Sequence, residues 1–256
     1  MSDPSRAAPA WQGRWQALLD ALVLVHSAPE AERLLDDLVA ARRPQVLAFV
    51  NAHAMNSAAG SEPFFRAVRA ADVVVRDGSG MATLLKLLKR SPGINLNGTD
   101  LIPRIIARHA GRALALFGTQ EPYLSAARDV VEQRLAPGSQ CSVLHGFLDT
   151  RTYVEVAAAQ RPALIVLGMG MPRQEQVALE LRAALTHPCL IVCGGAVIDF
   201  LGGKSPRAPA FVRQAGLEWA FRLALEPKRL FRRYVMGNPL FLARALRLKA
   251  RSFGLA

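Results

Sequence analysis

The chain has 256 residues, 51% of them hydrophobic and 20% charged, with a net charge of +12. That is enough apolar material to bury a sizeable core in one large or two small domains, and it excludes a disordered chain. The three cysteines, Cys141, Cys189 and Cys193, form an odd set with no CxxC pair, which argues against a disulfide scaffold and a structural zinc site; they read as small buried apolar residues.

Residues 1–14 read as a disordered lead-in with no apolar stretch of signal-peptide type. Residues 28–43 predict an amphipathic helix, with Pro29 near its start, Glu30 and Glu32 in its first turn, and Arg42 and Arg43 at its close. QVLAFV (45–50) then predicts a short apolar strand. Beyond it the pattern alternates. Helices are expected over 63–70, 81–89, 122–135, 152–159 and 173–185, and strands over 72–76, 112–117, 142–145, 163–167 and 189–193. Continuously apolar strands separated by helices predict an α/β fold, a parallel sheet covered on both faces.

The rhythm breaks at SPRAP (205–209). Residues 211–256 are helical in pattern, without strands, and hold ten Lys/Arg against two Asp/Glu, a net of +8 that leaves +4 for the rest. The chain therefore divides into the lead-in (1–14), an α/β domain (15–210) and a basic, amphipathic helical appendage (211–256). A localised positive field attracts substrate phosphates, nucleic acid or an acidic membrane surface. The charge is confined to the tail and no nucleic-acid-binding signature occurs, which disfavours a basic nucleic-acid-binding protein. No apolar run reaches the ~18 residues of a membrane span. The expectation is a cytoplasmic protein, peripheral on the inner face of the membrane.

In open α/β sheets ligands bind beyond the carboxyl ends of the strands. Those ends carry Asn51 and His53, Asp77-Gly78-Ser79-Gly80, Gly118-Thr119, Gly168 through Glu175, and Gly194-Gly195 with Asp199 beyond. Glycines there admit a ligand to the backbone, and the helices that follow aim N–H groups at the same region, a cleft suited to a phosphorylated ligand. The dinucleotide GxGxxG, the GxxxxGK[ST] loop and the GxSxG elbow are absent, which disfavours a dehydrogenase. The five histidines are scattered, so no metal site is expected.

These residues carry a resemblance. NAHAMN (51–56), ADVVVRDGSGM (71–81), LNGTDL (96–101), LFG (116–118), HGF (145–147), LGMGMPRQE (167–175), GGAVIDFLGGKSPRAP (194–209) and GLEWAFRLALEPKRLFRRY (216–234) occur in one order across residues 45–235 and resemble the WecG/TagA/CpsF family of glycosyltransferases. The resemblance implies a Rossmann-like fold and an inverting, metal-independent transfer without cofactor. The donor would be a UDP-sugar, carrying a hexose, N-acetylhexosamine or uronic acid, and the acceptor a polyprenyl-diphosphate-linked saccharide of cell-surface polysaccharide or exopolysaccharide synthesis. A C-terminal appendage would meet the membrane and close the active site. Family members can oligomerise, so apolar surface near the appendage fits a homo-oligomer contact as well as a membrane.

The family's general base matches Asp77. An inverting transfer needs one carboxylate to take the proton of the attacking hydroxyl; the other reading of Asp77 is a cap on the following helix. The resemblance adds substrate contacts from Asn51, Gly78, Gly80, Asn97, Gly118, Gly168, Gly170, Gln174, Glu175, Gly195, Asp199 and Arg207. Local alternatives stay open: a turn for Asn51, helix-start preference for Glu175, a cap or buried ion pair for Asp199. His53 is a rival base or a structural histidine, and His145 a structural one. Arg222, Arg229, Arg232 and Arg233 in the appendage suit phosphate recognition or a solvated helix face, and Arg222, Arg229 and Arg233 share one face if the helix survives Pro227. Two positions depart from the family: Asn95 stands where some members have Arg, and Phe49 where Thr is common. The missing charge is expected from Arg207 or the appendage.

Overall fold

A computed structural model describes residues 9–252 of the chain. It opens with α1 (Ala10–Ala21), whose Trp15, Leu18 and Leu19 are fully buried at helical spacing. Residues 10–14, expected to be disordered, are therefore helical, and residues 1–8 of that segment lie outside the described residues.

The core is a seven-stranded, all-parallel sheet of β1 (Leu22–Val23), β2 (Pro44–Val50), β3 (Val73–Arg76), β4 (Ala113–Gly118), β5 (Gln140–Leu144), β6 (Leu164–Gly168) and β7 (Cys189–Cys193), in the order β1-β3-β2-β7-β6-β4-β5. The pleat sends alternate residues to opposite faces. Leu47, Phe49, Leu116, Val166 and Val192 face one core with α2 (Ala28–Val39), α6 (Gly98–Ala107), α7 (Tyr123–Val130) and α10 (Val197–Leu201). Ala48, Val50, Ile165, Leu167 and Ile191 face two adjoining clusters on the other side, with α1, α3 (Ala52–Gly60), α4 (Glu62–Arg69), α5 (Gly78–Leu87), α8 (Thr150–Gln160) and α9 (Arg173–Ala184). Burial on both faces explains why the strands read as unbroken apolar runs. All three cysteines are buried and unbridged.

Topology sets the position of the site. β4 and β6 are neighbours, yet α7 leaves β4 toward one face and α9 leaves β6 toward the other. Such a divergence opens a crevice at the carboxyl edge of the sheet. Two strands further along, Val50 pairs with Arg76. The next residues, Asn51 and Asp77, thus leave adjacent strands side by side.

Four helices escape the periodicity: α1, α3, α6 and α10. α3 (AHAMNSAAG) is mostly small residues, so its buried face gives no amphipathic contrast. Gly98 and Pro103 inside α6 read as breakers, yet Asn97 caps that helix by accepting from the Asp100 N–H at 2.9 Å.

After β7 no strand occurs among the described residues. The helices α11 (Ala210–Gln214), α12 (Glu218–Leu225) and α13 (Pro227–Phe231) lead through a π-turn (Arg232–Met236) into α14 (Gly237–Ser252). α14 folds back onto the domain. Its Phe241, Ala245 and Leu248 are buried with Trp15, Met55 and Met81, and the Trp15 and Phe241 rings lie 5.3 Å apart. Asn56 ties it down, donating to the Gly237 carbonyl at 2.7 Å and accepting from Arg244 at 2.9 Å. The strands end at Cys193, before the expected boundary at residue 210, and the last helix shares the core of the α/β domain.

Candidate active site

The carboxyl edge of the sheet and the helices after β7 enclose two chambers. The strand-end chamber, ≈ 430 Å³, lies over β4, β6 and β7 and is lined by Gly168, Gly170, Gln174, Gly195, Asp199 and Lys204 among others. The appendage chamber, ≈ 350 Å³, lies between the start of α5 and the chain from Arg213 to Leu242. Five residues line both: Asn51, Asp77, Thr99, Arg222 and Arg233. Asp77 therefore stands where the chambers meet.

Asp77 occupies the cap position of α5 but makes no capping hydrogen bond with its side chain. Its carboxylate accepts from Asn51 Nδ2 at 3.3 Å. Burial pushes its pKa above the usual carboxylate range, against the pull of the Asn51 hydrogen bond and of Arg233, Arg222 and Arg76. A carboxylate so placed binds a proton more readily than one in water. Asn51 caps α3 by accepting from the Ala54 N–H at 3.0 Å, so its carbonyl holds the helix while its amide orients Asp77.

The loop behind Asp77 is pinned from below. Arg76, 5% exposed, donates to the Pro92 and Gly93 carbonyls and to Gly78 O and Asn95 Oδ1. Asn95 also accepts from the Gly78 N–H at 2.9 Å. Asn95 thus supplies a hydrogen-bond acceptor that fixes the turn. Gly78 turns there at φ +86°, where a side chain would strain the backbone. A Cβ on Gly80 would sit 3.2 Å from the Ala52 Cβ, so this glycine serves the packing of α5 on α3.

The expected arginines divide into two groups. Arg222, Arg229 and Arg233 line the strand-end chamber even though the chain breaks between α12 and α13. Arg229 is paired with Glu226 at 2.5 Å. The Nε atoms of Arg222 and Arg233 are buried with no hydrogen-bond partner among the described residues. Burial lowers the Arg233 pKa, the mark of a cation short of compensation. Arg207, in contrast, lines neither chamber: it is drawn to Asp100, which also pairs with Arg213 at 3.5 Å. Arg232 is exposed and lines neither chamber.

Gly118 is a packing residue as well. It lies opposite Gly168 in the sheet, and a Cβ on it would come within 2.5 Å of the Gly168 carbonyl; it lines neither chamber. Gln174 lines the strand-end chamber but is already engaged, accepting from the Gly195 N–H at 2.9 Å and donating to Glu175 at 2.8 Å. Glu175 is 3% exposed, touches no chamber, and leaves Oε2 without a partner. Burial raises its pKa to about 7, so a helix-start preference does not explain it; it holds the Gln174 amide in one orientation. Asp199 accepts from Thr119 Oγ1 at 2.5 Å and from Lys204 at 3.2 Å, an ion pair that is partly exposed rather than the buried one among its sequence alternatives. Asn97 lines the appendage chamber while capping α6.

His53 lines the appendage chamber, and burial, reinforced by Arg233, lowers its pKa to about 4. Its imidazole is neutral at pH 7 and a weaker base than an ordinary histidine. His145 is exposed outside both chambers and accepts from the Phe147 N–H at 3.3 Å. Thr119, singled out only as a strand-end residue, lines the strand-end chamber, as do Phe147 and Lys204, while Glu218, Trp219 and Tyr234, given no substrate contact from the sequence, line the other. Nothing local in the sequence marked the direction of these side chains. Among the described residues, no three His, Cys, Asp or Glu side chains gather as a metal site.

The chain is similar to known proteins. The family model described as "Glycosyl transferase WecG/TagA/CpsF family" matches residues 17–253. N-acetylglucosaminyldiphosphoundecaprenol N-acetyl-beta-D-mannosaminyltransferases from Staphylococcus aureus strains NCTC 8325 and MRSA252 are each 26% identical over 203 residues, 78% of this chain and 78% of the relative.

The buried Glu175 gives a pH test. Its folded pKa of about 7 lies above the ordinary 4.5, so the stabilisation it contributes is full below pH 4.5 and is lost as pH rises to about 7. The loss amounts to about 3 kcal/mol. Glu175→Gln removes it. Denaturant unfolding from pH 4.5 to 8 is expected to show the variant gaining on the wild type by that order; parallel curves would show that Glu175 titrates normally.

Proposed function

The chain belongs to the WecG/TagA/CpsF family of glycosyl transferases, and from that premise we propose that it moves a hexose, N-acetylhexosamine or uronic acid from a UDP-sugar to a polyprenyl-diphosphate-linked saccharide, with inversion and without a metal. The observation that carries the reading is the position of Asp77. It is a proton-avid carboxylate, free of any capping bond, on the wall between two chambers and beside two arginines whose buried Nε donors are unused.

In this reading UDP lies in the strand-end chamber, where glycines admit the backbone to phosphate and Phe147, 68% exposed, offers a ring face to uracil. The acceptor enters through the appendage chamber. Its hydroxyl oxygen attacks C1 of the donor sugar as the hydroxyl proton passes to Asp77. The C1–O bond to UDP breaks on the opposite side, and UDP leaves with that electron pair. The growing negative charge meets Arg222, Arg229 and Arg233, a fixed set of donors that needs no reorganisation at the moment of reaction. The printed name of the Staphylococcus aureus relatives supports a diphosphoundecaprenol-linked acceptor.

Such an acceptor is confined to a membrane, and no helix among the described residues is long and apolar enough to cross one. Thirteen large apolar side chains are exposed among those residues, and ten fall between Phe211 and Leu246. They are interleaved with Arg213, Lys228, Arg232 and Arg247. We assign this surface, apart from Trp219 and Leu242 of the appendage chamber, to an anionic bilayer, with the apolar groups in the interface and the cations on lipid phosphates.

Asp77→Asn is expected to keep UDP-sugar binding and to lower transfer about 10²- to 10⁴-fold, as measured by release of UDP with acceptor present; full activity would remove Asp77 as the base. For the membrane, cutting the chain at residue 210 would strip Phe241, Ala245 and Leu248 from the core. The cleaner variant is Phe231→Ser with Met236→Ser, both more than half exposed. Its sedimentation with anionic vesicles is expected to drop while its melting temperature holds. Undiminished binding would place the membrane face elsewhere.

A further inference from the structure

The two chambers differ in chemistry. The strand-end chamber offers glycine backbone and cations, the requirements of a diphosphate. The appendage chamber shares Arg222 and Arg233 and adds Arg213, but it also offers amides and hydroxyls from Asn95, Asn97, Thr99 and Thr83, together with an aromatic pair and a carboxylate. The pair is Trp219 and Tyr234, with ring centroids 6.0 Å apart and planes inclined by 57°. The carboxylate is Glu218, the first residue of α12.

Glu218 is unusual in its surroundings. It is half-buried, and no hydrogen bond or ion pair to another described residue engages it, whereas the nearby Asp100 carries two arginines. Burial raises its pKa, Asp77 and Asp100 raise it further, and Arg207 and Arg222 oppose them. A half-buried carboxylate without a partner forgoes stability that a pairing would give. It is also the wrong group to place against phosphate, because the two charges repel. It suits hydroxyl or acetamido N–H donors, to which a carboxylate makes strong charge-assisted hydrogen bonds. Trp219, adjacent in sequence and 37% exposed, provides an apolar face with a polar edge. An aromatic face beside an acceptor-only side chain matches a pyranose ring, which has an apolar C–H face and a rim of hydroxyls.

We propose that Glu218 and Trp219 form the subsite for the saccharide of the acceptor, with Tyr234 backing the stacking face. The inference rests on the reading above, in which the acceptor fills the appendage chamber, and it adds that this segment reads the acceptor's sugar as well as meeting the membrane. Glu218 accepts from the sugar's hydroxyl or acetamido N–H groups, Trp219 holds the ring, and the nucleophilic hydroxyl is presented to Asp77 on the shared wall.

The test is steady-state kinetics in detergent micelles with a short-chain polyprenyl-diphosphate saccharide, varying acceptor and UDP-sugar separately for wild type, Glu218→Gln and Trp219→Ala. Each variant is expected to raise the acceptor KM about tenfold or more, the loss of roughly one charge-assisted hydrogen bond or one stacking face. The donor KM is expected to stay within about twofold, and the UDP-induced rise in melting temperature to persist. Inhibition by polyprenyl diphosphate without a sugar is expected to be undiminished in Glu218→Gln. An unchanged acceptor KM, or equal weakening of inhibition by the sugar-free lipid, would overturn the proposal, as would a fall in kcat alone. A wild type that fails to bind UDP would instead remove the donor assignment, and this inference with it.

Discussion

The carboxyl group of Asp77 stands in a place that disfavours its ionised form, and the rest of the site is arranged around that cost. Burial raises the carboxyl's proton affinity, while one amide and three guanidinium groups lower it. The net result is a carboxyl group with raised proton affinity. The arginines around it differ in their contacts. Arg76 lies beneath the turn with its donors spent on backbone carbonyls and Asn95, whereas Arg222 and Arg233 approach from the other side with Nε donors unused. The first sets geometry, and in the proposed reaction the other two would supply charge to a departing diphosphate.

This arrangement gives the chain after β7 two roles. Through α14 it belongs to the core, so its position is fixed by Phe241 against Trp15 and by the Asn56 hydrogen bonds. Through α12, α13 and the π-turn it forms a wall of both chambers. A loose tail would bring Arg222 and Arg233 to Asp77 at an entropic cost on every encounter. Anchoring α14 removes much of that cost, because the ordering has already occurred on folding.

Much of the fold was legible in the sequence because strands buried on both faces are continuous apolar runs, and five of the seven appear as such, from QVLAFV to CLIVC. What escaped was hidden for physical reasons. β1 is two residues long, α3 buries small side chains, and α6 contains Gly98 and Pro103. In the site, the strand-end layer of Asn51, Asp77, Gly168, Gly170 and Gly195 was visible, since topology alone brings strand ends together. The direction of individual side chains was not. Arg207 looked suited to supply the charge absent at Asn95, but it pairs with Asp100, a partner 107 residues away in the chain. Gly118 looked like ligand space and is instead required by the close approach of Gly168. Glu175 looked like part of a binding pair and lies behind Gln174, a distinction that only burial reveals.

The proposed role of Asp77 depends on which chamber holds the nucleotide, and a crystal structure of the protein with UDP tests that most directly. Uracil is expected near Phe147 and the Gly168–Gly170 turn, with the diphosphate within hydrogen-bond distance of Arg222 or Arg233 and Asp77 open toward the appendage chamber. UDP seated against Glu218 and Trp219, or bound away from Asp77 altogether, would contradict it.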